Sequence, residues 1–343
     1  MLFGFTRSYF HVDLPIVQSV VSFLHELMPA KPIAELYTVL GRAKQGKTER
    51  YRALMHHLDS STDLFDFAPG TAGMVMQVFS LPSFNLVFKV IRDRFAPPKS
   101  IHRDEVKKKY TLVFNHDRAG RLVDAQEFRR LSFDVDRFTP ELLESLLNDC
   151  SKYCHVDDGQ LIVEHLYIER RLTPLNLYLR QADTAAAHDA IVDYGQAIRD
   201  LASSNIFTGD LLPKNFGVTR HGRVIFYDYD EVCFVTDCQF RDIPEADDYY
   251  DEMRADAWFY VGPNDVFPAQ FLDCLGLSKE QRETFSHFHG ELLTAAWWRR
   301  ISDRIVAGEW IDVLPYTARS WVTRLGGSGR YAPIAAAAES AEA

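Results

Sequence analysis

The chain has no run of apolar residues long enough to cross a membrane, no Cys-x-x-Cys pair and no surplus of positive charge. Each lack closes off a class of function. Arg7, His11 and Asp13 interrupt the apolar N-terminal residues before a signal-peptide core can form, so a cytoplasmic protein without a membrane partner is expected. Five cysteines (Cys150, Cys154, Cys233, Cys238 and Cys274) in 343 residues are too few for a disulfide framework, and reduced thiols are expected. Acidic residues outnumber basic ones 48 to 38, a net charge of -10. That balance argues against nucleic acid as a partner, because phosphate contacts need a basic face. No cysteine is followed six positions later by arginine, and no dense His/Asp cluster suggests a dinuclear metal site, so neither kind of phosphate-ester hydrolase is indicated. With 47% hydrophobic residues and no internal repeat, the chain is long enough for two lobes around a substantial core.

What is present is a spacing. In Phe207-Thr-Gly-Asp210-Leu-Leu-Pro-Lys214-Asn215, Asp and Asn stand five positions apart, the offset of the catalytic loop of protein kinases. There the Asp accepts a hydroxyl proton and the Asn binds magnesium. Between Asn215 and Asp228 the chain reads as strand, tight turn at Arg220-His-Gly-Arg223, and strand. Such a hairpin returns Asp228 to the same cleft, where it and Asn215 can share a magnesium. Asp230 stands where kinases have a glycine; it either binds a second ion or caps the following turn. Lys214 either touches a transferring phosphoryl group or is a solvated loop lysine.

The rest of the chain supplies a setting. Helical spacing covers residues 15–58, with Ile33, Leu36, Tyr37 and Leu40 behind Pro32 and a second helix from about Thr48. Ala68-Pro69-Gly70-Thr71-Ala72-Gly73-Met74 then leads into a strand, a turn at Leu81-Pro-Ser and a strand holding Lys89. A glycine loop ahead of a strand lysine is where kinases cover and position the triphosphate of ATP. The acidic partner of Lys89 is left open among Glu105, Asp117 and Glu127. Val106, Tyr110 and Val113 predict a helix, Leu161–Ile168 a strand, and Glu169-Arg-Arg171 a connector. Ile191, Tyr194, Ile198 and Leu201 predict a helix ending at the catalytic loop, and the tail from Ala332 is of low complexity. Trp297 and Trp298 read as core.

Two patterns are decoys. Gly41-Arg-Ala-Lys-Gln-Gly46-Lys47-Thr48 fits the P-loop pattern letter for letter, but a P-loop follows a buried strand, and this segment follows helical spacing. Arg220-His221-Gly222 copies the start of a histidine-phosphatase motif within a predicted hairpin turn.

Longer runs carry a resemblance to one family. Tyr167-Ile-Glu-Arg-Arg-Leu-Thr-Pro-Leu-Asn176, Thr208-Gly-Asp-Leu-Leu-Pro-Lys-Asn-Phe-Gly217 and Arg220-His-Gly-Arg-Val-Ile-Phe-Tyr-Asp-Tyr-Asp-Glu231 resemble the bacterial isocitrate dehydrogenase kinase/phosphatases, as do Ala68–Met74 and Phe88–Pro97. The similarity runs from about Phe3 to about residue 320. It implies an α+β, bilobal protein-kinase-like fold, with a small antiparallel-sheet lobe and a larger helical one. It further implies an enzyme that uses ATP and magnesium or manganese to phosphorylate a serine of isocitrate dehydrogenase, and that also removes the phosphate. The ATP site is implied at Ala68–Met74 and Lys89, and Asp124 is implied as an active residue; read from the residues alone, Asp124 is a helix cap. Family members carry a large helical regulatory domain ahead of this region. Residues 1–66 are expected as a remnant of it, 67–168 as the small lobe, 169–330 as the large lobe and 331–343 as a disordered tail. A kinase-like binding module without catalysis is the rival expectation, since no His-Arg precedes Asp210 and no Ala-Pro-Glu follows.

Overall fold

The computed structural model describes residues 13–95, 102–116, 119–244, 259–311 and 313. The expected tail at 331–343 and the candidate Asp117 lie outside them. Three helices come first: α1 (Val17–Leu27), α2 (Ile33–Val39) and α3 (Ala43–Ser60). Helix α3 begins at Ala43 rather than near Thr48 and buries Gly46, Arg50, Leu54 and Leu58, one face at a spacing of four. A Cβ on Gly46 would stand 2.6 Å from the Ala34 carbonyl, so glycine is what lets α2 and α3 pack so closely. The P-loop decoy is thereby settled. Lys47 and Thr48 lie inside α3, where the Thr48 hydroxyl donates to the Lys44 carbonyl at 3.0 Å, and a helix rather than a strand precedes them.

A sheet lobe follows. The strands β1 (Asp66–Phe67), β2 (Met76–Ser80) and β3 (Leu86–Ile91) form a meander, then α4 (Arg103–His116) intervenes before β4 (Gln126–Phe128). Next come β5 (Leu131–Asp134), α5 (Pro140–Asp149), β6 (Cys154–Asp157), β7 (Gln160–Val163) and β8 (Leu166–Arg170). Five strands make one antiparallel sheet in the order β1-β2-β3-β8-β4, and three make a second in the order β5-β7-β6. The expected single strand at Leu161–Ile168 is therefore two strands in two sheets, separated at Glu164-His165. The expected connector at Glu169 is the interior of β8. Phe65, Phe79, Phe88 and Phe138 stack and edge-pack beneath this lobe, closed from below by Leu142 and Leu146 of α5.

The second lobe is mainly helical. It contains β9 (Thr173–Pro174), α6 (Leu175–Gln181), the long α7 (Thr184–Ser203), β10 (Phe216–Val218) and β11 (Val224–Phe226), and then the helices Lys279–His289 and Ala295–Val306. Asp183 caps α7 by accepting from the Ala186 N–H at 2.8 Å, and Ile191, Tyr194, Ile198 and Leu201 are buried at the expected helical interval. Trp297 and Trp298 are core, as expected. One continuous cluster of buried residues runs from Val106, Tyr110 and Val113 of α4, past Ile91 and Tyr167, to α7 and Trp298. The two lobes thus share a core.

Candidate active site

Helix α7 ends at Ser203, and the chain turns directly into Thr208-Gly209-Asp210. Two features fix that turn. Phe207 exchanges both backbone hydrogen bonds with Cys233 at 2.9 Å, and Tyr194 of α7 donates its hydroxyl to the Leu211 carbonyl. Asp210 is half-buried, and one of its carboxylate oxygens accepts the Leu212 N–H at 2.8 Å, which aims the side chain. Asn215 is buried and its side-chain amide donates to the Asp210 carbonyl at 3.4 Å. The β10–β11 hairpin forms as expected, with Gly222 at φ 75° in the Thr219–Arg223 turn, so Arg220-His221-Gly222 is turn and nothing more.

The pieces meet at Tyr227, a residue that sequence reasoning passed over. Its N–H donates to the Asn215 carbonyl at 3.1 Å, its hydroxyl donates to the Lys214 carbonyl, and its carbonyl accepts from Lys89 Nζ at 2.8 Å. One residue therefore ties the strand lysine of the small lobe to the catalytic loop of the large lobe, next to Asp228. The Lys89 ammonium also lies 5.3 Å from the Tyr227 ring centroid and 5.8 Å from that of Tyr229.

The acidic partner of Lys89 is Glu169 of β8, at 2.7 Å, with both side chains buried. This corrects the three candidates weighed from sequence. Glu105 of α4 is bound to the His102 N–H and Glu127 of β4 to Arg129 and His165. The reason is register: β3 pairs with β8 so that Lys89 stands opposite Tyr167, one side chain from Glu169. Burial pushes the Glu169 carboxyl above its ordinary value, with the Lys89 ammonium pulling it back. From α4, where kinases place their glutamate, Tyr110 faces the pair instead, stacked on Tyr167 at 3.8 Å. Its phenol is pushed well up by burial and by the Glu169 and Asp228 carboxylates, which sets Asp228 within electrostatic reach of the same cluster.

The glycine loop is the β1–β2 connection. Pro69–Ala72 are exposed, Gly70 takes φ 123°, and a Cβ on it would stand 3.6 Å from Pro174 of the other lobe. A Cβ on Gly73 would meet the Met76 carbonyl at 2.7 Å. Of this loop, Ala68 is held by its N–H donating to the Val78 carbonyl at 3.1 Å, and Gly70 comes closest to the other lobe. Asp124 is no helix cap, because β4 follows it; it lies 3.8 Å from Arg50 of α3, and its charge raises the Glu169 carboxyl, which puts it at the cleft rim. Asp230 is buried. No group of three His, Cys, Asp or Glu side chains among the described residues is arranged to hold a metal alone. Asn215, Asp228 and Asp230 supply only hard oxygen donors, and a magnesium completed by phosphate oxygens and water needs no larger protein set. The donor set fits.

Residues 63–318 match the family model described as isocitrate dehydrogenase kinase/phosphatase (AceK) kinase domain, and residues 1–62 match that of its regulatory domain. Among curated proteins, the isocitrate dehydrogenase kinase/phosphatase of Anaeromyxobacter sp. (strain Fw109-5) is 52% identical over 316 residues, covering 92% of this chain and 55% of that protein. That of Anaeromyxobacter dehalogenans (strain 2CP-C) is 54% identical over 329 residues, 92% of this chain and 56% of its own. That of Xanthomonas campestris pv. campestris (strain 8004) is 52% identical over 316 residues, 92% and 55%. The chain spans about half the length of the curated relatives it matches. A solved structure titled ROP18 kinase domain in complex with AMP-PNP and sucrose aligns with 76% of this chain and 93% of its own, at 12% identity and a TM-score of 0.36, a likeness too loose to carry an argument.

Proposed function

Because this chain belongs to the isocitrate dehydrogenase kinase/phosphatase family, we propose that it phosphorylates a serine of isocitrate dehydrogenase with ATP and removes that phosphate in the same cleft. The observation that carries this reading is the meeting of Lys89, Lys214 and Asn215 on Tyr227, beside Asp228. Within Ala68–Met74, the exposed amides of Gly70, Thr71 and Ala72 take the phosphates of ATP or ADP. Two of the three Lys89 ammonium hydrogens are engaged by Glu169 and Tyr227, and the third is left for a phosphate oxygen. Asn215, Asp228 and Asp230 would hold magnesium or manganese, which when bound offsets the charge of the triphosphate. Asp210 accepts the serine proton as the serine oxygen bonds to the γ-phosphorus and the bridging oxygen leaves with ADP. Lys214 offsets charge on the phosphoryl group in flight.

Removal runs the same parts backward. Water, or ADP, attacks the phosphorus and the serine oxygen leaves, taking its proton from Asp210. When water attacks, its proton passes either to Asp210, which hands it on to the serine oxygen, or to Asp124, the two carboxylates competing for the role of proton handler. No helix among the described residues is long and apolar enough to cross a membrane, and a cytoplasmic location accords with a cytoplasmic protein substrate. The domain division we adopt is 1–66, 67–168, 169–330 and 331–343. The test is transfer of labelled γ-phosphate from Mg-ATP to purified isocitrate dehydrogenase, beside an Asp210→Ala variant and followed by ADP. Label that appears only with the unsubstituted chain and then leaves supports the reading; nucleotide binding with no transfer makes the chain a binding module.

A further inference from the structure

Just beyond the Asp228–Asp230 turn stand two thiols that the reaction above does not use. The Sγ atoms of Cys233 and Cys238 are 3.6 Å apart, both thiols are free, and both residues are half-buried. They flank a single helical turn at Val235–Asp237, closed by the Cys238 N–H donating to the Val235 carbonyl at 3.1 Å. The other three cysteines differ. Cys150 and Cys154 are buried, where burial pushes the Cys150 thiol up to about 12, and Cys274 is exposed at the end of a short helix. Buried thiols of that kind are inert, whereas a half-buried pair within contact is where oxidation is selective. The surroundings favour Cys233 as the attacking sulfur. The contact with the Cys238 sulfur and, less, the Lys109 ammonium of α4 hold its thiol below the ordinary value against burial and the carboxylates of Asp237 and Glu231. A disulfide needs its sulfurs at about 2.05 Å, so the pair has to close by roughly 1.5 Å.

We infer that Cys233 and Cys238 form a modification site, a dithiol that hydroperoxides oxidise to a disulfide which locks the catalytic loop. The chemistry balances. The Cys233 sulfur attacks one oxygen of hydrogen peroxide, the O–O bond breaks, and a sulfenic acid forms as the other oxygen leaves as water. The Cys238 sulfur then displaces the sulfenic oxygen, which departs as a second water; the two thiol protons end in the two waters, and two electrons pass from sulfur to oxygen. Cytosolic disulfides of this transient kind are redox-sensing rather than structural.

The lock follows from how little slack surrounds Cys233. Its backbone N–H and carbonyl are both bonded to Phe207 at 2.9 Å, one residue before Thr208-Gly209-Asp210. The side chain of Asn205 accepts the Thr236 N–H at 3.1 Å. Gly209 lies so close to Glu231 that an added Cβ would stand 2.5 Å from that side chain. Drawing Cys233 toward Cys238 therefore pulls on the ladder that sets Asp210. A displacement near 1 Å in such a loop costs on the order of tenfold to a hundredfold in rate.

The effect on turnover rests on the reaction proposed above, so the test carries readouts that do not. The full chain, reduced and peroxide-treated, is digested without reductant and mapped by mass spectrometry beside Cys238→Ser; a Cys233–Cys238 link in the unsubstituted chain is expected. Hydrogen exchange of the 205–212 amides is expected to slow on oxidation and recover with dithiothreitol. Phosphoryl transfer is expected to fall at least about tenfold, to recover with dithiothreitol, and to stay unchanged in oxidised Cys238→Ser. Absence of the link overturns the site. A link that changes neither exchange nor transfer overturns the lock. A reduced chain without transfer overturns the reaction instead, and exchange then still decides the lock.

Discussion

Lys89 and Glu169 form a buried ion pair at 2.7 Å, and the two charges are not equally dispensable. Removing one leaves the other uncompensated, at a cost of about 3 to 5 kcal/mol, whereas removing both returns the desolvation penalty. Lys89→Met is therefore expected to lower the urea midpoint strongly, and Lys89→Met with Glu169→Leu to recover most of the stability and none of the phosphoryl transfer. Equal stability of the single and double variants would contradict the pairing. Two glycines separate backbone strain from crowding in the same way. Gly222 and Gly209 take φ 75° and 74°, but only Gly209 has a neighbour in the way, Glu231. Gly222→Ala is expected to cost about 1 kcal/mol with turnover intact. Gly209→Ala is expected to cost more and to lower transfer at least about tenfold by moving the loop that holds Asp210. Matched losses in the two would refute the close approach.

At the scale of elements, the sequence made local chemistry visible and left long-range register hidden. The offsets from Asp210 to Asn215 and Asp228 are set by one loop and one hairpin, so they could be counted. Glu169 could not be found by counting, because it reaches Lys89 only through the pairing of β3 with β8, and Glu-Arg-Arg in isolation reads as solvated chain. Tyr227 was hidden because two of its three hydrogen bonds, to Lys89 and Asn215, are made by its backbone, which no residue pattern reports. The run Leu161–Ile168 looked continuous because alternation does not reveal that β7 and β8 join different sheets. Helix contacts carry a pH signature too. His289, on the helix Lys279–His289, packs on Gly195 of α7 and bonds the Val192 carbonyl at 2.8 Å, and burial lowers its pKa from 6.5 to about 4. Between those values the unfolded chain binds a proton that the folded chain refuses, so stability falls as pH drops through that window, by up to about 3 kcal/mol. Stability measured from pH 7 to 5 is expected to fall less steeply in His289→Gln; an unchanged slope would show that His289 is not the group.

At the scale of the whole molecule, Arg121 sets how the lobes face each other. It lies just ahead of β4 and donates to Asp193 with two nitrogens at 2.7 and 2.9 Å, to Asp200 at 2.7 Å and to the Val224 carbonyl at 2.9 Å. The Phe226 N–H donates to its carbonyl, so the segment leading to Asp124 is held against β11, two residues before Asp228. The segment leading to Asp124 and the hairpin leading to Asp228 are thus tied to the same helix, which is the physical ground for the proposal that both directions of phosphate transfer share one place. The most direct measurement compares Asp228→Asn with the unsubstituted chain in two assays, phosphorylation of isocitrate dehydrogenase and release of phosphate from the phosphorylated protein. The account predicts that both fall together, by at least about a hundredfold, since each needs the same charge at the same phosphorus. Phosphate release that persists while phosphorylation is lost would contradict a shared site.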